Sequence, residues 1–80
     1  MEMDEQFSTR DLGEAAYLVT VGISYLGIER GGGDTRQCAF IFPASAREAV
    51  GSYHRGAEVE AQKLLMVYKE LKGRLIRLRQ

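Results

Sequence analysis

Eighty residues allow one domain at most, and a chain of this length buries only about 60–65% of the surface its unfolded form exposes. An apolar fraction of 45% beside 28% charged residues argues against wholesale disorder, apolar runs of no more than five residues exclude a membrane span, and one cysteine with one histidine exclude an internal disulfide and a Cys/His metal site. The net charge of zero hides a gradient, because residues 1–60 carry ten acidic side chains against five arginines, whereas residues 61–80 carry six Lys and Arg against Glu70 alone. Such a split steers a phosphate-bearing partner to the basic end, or docks the acidic part of one subunit on the basic part of another.

The opening MEMDEQ is acidic and polar, unlike a secretory or mitochondrial leader, so a reducing, cytoplasmic location is expected. Residues 1–6 read as a disordered tail and 7–80 as a single small domain. Ser8 and Thr9 are good N-caps, and Asp11 to Glu14 repeats capping-box spacing. Leu12, Ala15, Ala16 and Val19 share one face at helical spacing, and Gly22 suits the left-handed residue that stops a helix, so the first helix is expected over Arg10–Val21. Gly13 costs about 1 kcal/mol relative to Ala inside a helix, and serves close packing or marks a late start.

Two strands are expected next, Ile23–Glu29 and Gln37–Phe42, joined as an antiparallel hairpin through Arg30–Thr35 with its three glycines. Cys38, Phe40 and Phe42 fall on one face of the second strand and Ala39 and Ile41 on the other, so cover on both sides is expected. A phosphate-binding glycine loop needs a helix N-terminus behind it, and this triplet joins strand to strand. Pro43 ends the strand, and Ser45 to Glu48 has capping-box spacing for a short helix carrying Ala46, Ala49, Val50 and Tyr53, closed by Gly56. His54 reads as a helix-end histidine and Cys38 as a buried, inert thiol.

The long C-terminal helix is expected to begin between Ala57 and Ala61 and to reach Leu78. Ala57, Ala61, Leu64, Tyr68, Leu71, Leu75 and Leu78 form a heptad seam, while Val59, Met66 and Ile76 are an apolar surplus off it. Five consecutive apolar residues, Leu64 to Tyr68, point to every side of a helix, so two surfaces should meet it. Twenty-two residues span about 33 Å against about 20–24 Å for a hairpin. The expectation is therefore that Ala57–Tyr68 closes the core over the hairpin, and that an overhanging end carries a dimer seam of Leu71, Leu75 and Leu78. Lys69, Lys72, Arg74, Arg77 and Arg79 complement the negative helix end, and are candidate nucleic-acid contacts.

SerThrArgAspLeu at 8–12, AlaAlaTyrLeu at 15–18, GlyIle at 22–23, AlaPheIlePhe at 39–42, TyrHisArgGly at 53–56 and the ValGluAlaGlnLysLeuLeu helix at 59–65 resemble a family of small uncharacterised domains of bacteria and their phages. The resemblance covers residues 7–78 and implies a stand-alone accessory protein from a phage or mobile element, with no catalytic residue transferred. The fold expected is α+β: a helix, an antiparallel two-stranded hairpin, a short helix, and a long C-terminal helix packed on the sheet. No catalytic, cofactor-binding or metal-binding set emerges. The functional expectation is a non-enzymatic interaction module, a homodimer through the C-terminal helix, with an unknown protein partner as a further option. A nucleic-acid binder using the basic helix end and an inhibitor of a host protein are the alternatives.

Overall fold

The computed structural model describes residues 6–30 and 38–78. The chain runs β1 (Phe7–Thr9), α1 (Leu12–Thr20), β2 (Gly27–Glu29), β3 (Ala39–Phe42), α2 (Ala46–His54) and α3 (Ala61–Leu78), an α+β arrangement with one antiparallel sheet in the order β1-β3-β2. The expected two-stranded hairpin is corrected to three strands. Phe7–Thr9 does not lead straight into the helix but pairs with β3, with Phe7 opposite Phe42, Ser8 opposite Ile41 and Thr9 opposite Phe40. Three residues are too few for alternation to stand out, and Ser8 and Thr9, which look like caps, are strand residues.

Asp11 is the true cap of α1. Its Oδ1 accepts from the N–H groups of Gly13 at 2.8 Å and Glu14 at 3.2 Å, satisfying two of the donors every helix start leaves open. The helix therefore starts at Leu12, later than expected. Ser45, the other expected cap, sits at φ −61° and ψ −18° without a side-chain cap bond, and the first turn of α2 hangs on the Pro43 and Ala44 carbonyls instead.

β2 is shorter than the expected Ile23–Glu29 because the alternation breaks within it. Gly27 is in register with Ile41, yet the Leu26 N–H also donates to the Ile41 carbonyl at 2.6 Å. Two residues of one strand thus face one of the other, which is a β-bulge. The bulge turns Leu26 outward, 60% exposed, and lets Tyr25 join Ile28 against the core, its ring 5.3 Å from Phe40 and 6.3 Å from Phe42 in edge-on geometry. Strict alternation along Ile23–Glu29 would put Tyr25 and Ile28 on opposite faces. The glycine-rich tip expected between β2 and β3 lies outside the described residues.

Both shorter helices end in the same way. Gly22 at φ 101° and Gly56 at φ 89° are left-handed, and the residues after them return their N–H groups to the third residue from each helix end, Ile23 to Leu18 and Ala57 to Ser52. An L side chain at either glycine meets the left-handed penalty, so Gly22→Ala and Gly56→Ala should each lower stability by about 1–2 kcal/mol. Urea unfolding followed by circular dichroism checks this, and an unchanged midpoint for either would show that the turn tolerates a side chain.

α1 is the centre of the molecule. Ala15, Ala16, Tyr17, Leu18 and Thr20 are all buried, and α1 packs against β1, α2 and α3. Its consecutive alanines let neighbours approach closely, and the buried Thr20 hydroxyl donates to the Ala16 carbonyl at 2.7 Å instead of being left unpaired. Phe40 and Phe42 of β3 complete the core from the sheet, and Cys38 just before the strand is buried as expected. The chain is only 17 Å thick along its shortest axis, one sheet and one layer of helices. Among the described residues, no helix is long and apolar enough to cross a membrane.

α3 departs most from expectation. It packs chiefly on α1 rather than on the sheet. Leu71 is its one buried residue, at 2% exposure, and Leu64, Val67 and Leu75 pack against the same core. The half-buried Leu78 continues this inward line. The assignment of Leu71, Leu75 and Leu78 to a seam facing outward is therefore corrected at Leu71 and Leu75, which are spent inside their own chain. Ala57 and Ala61, expected to close the core, are exposed.

Candidate interaction surface

A helix turns about 100° per residue, so with Leu71 pointing inward the opposite side of α3 belongs to Met66, Lys69 and Ile76, with Leu65 and Lys72 on one shoulder. Exposure follows that geometry: Leu65 is 58% exposed, Met66 70% and Ile76 46%, and Tyr68 is exposed at the edge. Tyr68 had been placed on the inward seam, a position that Val67 takes. Four large apolar or aromatic side chains on one helix, with Lys69 and Lys72 among them, make a patch of the kind that marks contact sites.

The basic residues do not form one face. Measured round the helix from Leu71, Lys72 lies about 100° one way, Arg77 about 120° the other, Arg74 on that same side and Lys69 nearly opposite Leu71. Arg74 is 3.7 Å from Glu70, both exposed, an i,i+4 pair worth a few tenths of a kcal/mol. Arg79 lies outside the described residues. Lys69 and Lys72 are thus the cations that share a flank with the apolar patch.

A second feature lies on the sheet. The helices cover the face of Phe40 and Phe42, and on the other side an open groove of about 350 Å³ is lined by Gln6, Leu26, Gly27, Ile28, Glu29 and Ile41. The Cβ position of Gly27 has no atom within 4 Å, so the groove is open above it. Among the described residues, the expectation of cover on both faces of β3 is met on one only, since Ile41 and Ala39 are half-buried and Leu26 beside them is exposed.

The third feature joins three elements. Thr9 of β1 donates its hydroxyl to Glu14 Oε1 of α1 at 2.7 Å and accepts from the Asp11 N–H at 3.0 Å, while the other Glu14 oxygen is hydrogen-bonded to Nε2 of His54 at the end of α2. Local spacing gives Glu14 a capping-box role and makes His54 a helix-end histidine. The separation of forty residues hid their contact, although a histidine at one helix end and an acid at another's start were each visible. His54 has an exposed side chain and Glu14 a mostly buried one. With both carboxylate oxygens occupied, the arrangement fits a latch holding β1, α1 and α2 in register. Among the described residues, no group of three His, Cys, Asp or Glu side chains could hold a metal ion.

Gly13 is explained by the same corner. A Cβ there would lie 2.9 Å from the Tyr53 hydroxyl and 3.2 Å from Asp11 Oδ1. The Tyr53 ring cannot swing away freely, with Tyr17 and His54 at centroid distances of 5.2 and 5.1 Å. Gly13→Ala gains about 1 kcal/mol of helix propensity but should be net destabilising by about 1 kcal/mol. Adding Tyr53→Phe removes the clash and should restore the midpoint of urea unfolding; a Gly13→Ala protein more stable than wild type would show that the ring gives way.

Comparison with protein-family models, with curated proteins and with solved structures found no match for this chain.

Proposed function

We propose that this protein is a non-enzymatic interaction module that associates with itself through the outward flank of α3, an accessory protein of the phage or mobile-element kind that the family resemblance implies. One observation carries the reading. Leu65, Met66 and Ile76 are exposed on the side of α3 opposite the buried Leu71, so the helix has a second apolar surface after its own core is complete. In a domain this small, covering that surface adds burial the single chain lacks. The dimer expected from the sequence is kept, with its contact face moved round the helix from Leu71 to Leu65, Met66, Tyr68 and Ile76. The polar corner at His54 serves stability in this reading.

Sedimentation over a concentration series tests the proposal. Association at tens of micromolar supports it, and a strict monomer throughout sinks it. Labelled DNA and RNA added at low salt provide the competing arm. The dispersed cations of α3 predict weak binding unmoved by Arg74→Ala with Arg77→Ala, whereas salt-sensitive binding that these substitutions abolish would favour a nucleic-acid partner.

A further inference from the structure

We infer that the outward flank of α3 seats on the open face of the sheet of a second copy, its apolar side chains on Leu26 and Ile41 and its lysines beside Glu29. This rests on the reading of α3 as a self-association surface and names the surface that receives it.

Among the described residues, two faces that no other element covers complement each other. The flank of α3 is apolar and basic, through Leu65, Met66 and Ile76 with Lys69 and Lys72, whereas the groove is apolar and acidic, through Leu26 and Ile41 with Glu29 on its rim. The charge division of the whole chain runs the same way, since every strand lies in the acidic residues 1–60 and α3 lies in the basic remainder. Pairing two α3 flanks with each other would instead bring lysines on both sides of the contact together. An α+β sheet is ordinarily covered on an apolar face by a helix, and among the described residues helices cover one face only.

The sizes agree. Three strands of three or four residues, spaced about 4.8 Å apart, make a face roughly 10 Å by 10–14 Å, and one helix about 10 Å across and about 27 Å long covers it. The bulge contributes directly, because it turns Leu26 from the core to the outer face, and Gly27 beside it leaves space for an incoming side chain. Each copy carries both surfaces, so the contact either closes as a reciprocal two-fold dimer or continues from copy to copy.

Complementation tests this. The groove variant Leu26→Lys with Glu29→Lys and the helix variant Leu65→Glu with Lys69→Glu alter exposed positions, and circular dichroism confirms that each is folded. In sedimentation velocity each alone should associate at least about 100-fold more weakly than wild type, and their equimolar mixture should recover to within about 10-fold, because native flank then meets native groove. If the groove double variant unfolds, Glu29→Lys alone, weakened about 10-fold and rescued by the helix variant, gives the same support. A groove variant that associates like wild type, or two monomeric variants that fail to rescue each other, overturns the docking. A wild-type protein that never associates removes the underlying reading of α3 as well.

Discussion

Leu71→Ala should be among the most destabilising single truncations in the chain, costing about 2–5 kcal/mol. Leu71 is 2% exposed and packs in the cluster that holds Ala15, Ala16, Leu18, Phe40 and Phe42. Removing its branched end leaves a cavity between α3 and α1, and helices cannot close such a gap without breaking contacts elsewhere. A domain of this size has about 4–12 kcal/mol of stability in all, so the loss is a large part of it, and Leu71→Glu should leave no folded protein. Met66→Ala, five residues earlier but 70% exposed, should move the urea midpoint within about 0.5 kcal/mol. Equal effects for the two would mean that α3 is not seated with Leu71 inward.

Leu65→Glu with Ile76→Glu should do the reverse, leaving the fold intact and removing association. Both side chains are about half exposed in the single chain, at 58% and 46%, so charge there meets water and costs little stability. In a contact the same charge would be buried without a partner. Each substitution should therefore cost at least about 2 kcal/mol of association, about 30-fold in Kd. Sedimentation equilibrium beside urea unfolding separates the outcomes, and a double variant that associates like wild type would take the contact away from this flank.

The three helices and the glycines that close two of them were legible because each rests on local chemistry. Gly22 and Gly56 occupy positions where only the left-handed region completes the turn, and Asp11 stands within two residues of the helix it caps. β1 was not legible, since a three-residue strand acquires its meaning only from β3, about thirty residues away. The bulge at Leu26 was hidden for a related reason: alternation assumes one residue opposite one.

Runs of apolar residues were the most instructive signal. Leu64–Tyr68 and Ala15–Val19 each contain five in a row and must point to every side of a helix. In α1 the small alanines allow other elements to close round the run, and four of its five residues are buried, with Val19 packed against the core. In α3 only one side is taken, and Leu65 and Met66 remain outside. Apolar residues on more than one side of α3 were visible in the sequence. Which leucines served which surface depended on its rotation against α1, and a heptad with Tyr68 in the place of Val67 set that rotation wrongly. The corner of Thr9, Glu14 and His54 could not be seen from local spacing, because each residue already had a satisfactory local role.

The proposed association requires the side of α3 opposite Leu71 to be the one that is covered. A dilution series of amide and methyl NMR spectra reads this directly. From tens of micromolar to the lowest accessible concentration, signals of Leu65, Met66, Lys69 and Ile76 should shift together along one association curve, while those of Leu64, Leu71 and Leu75 stay in place. Shifts centred on Leu71 and Leu75, or a spectrum that does not change with concentration, would contradict it.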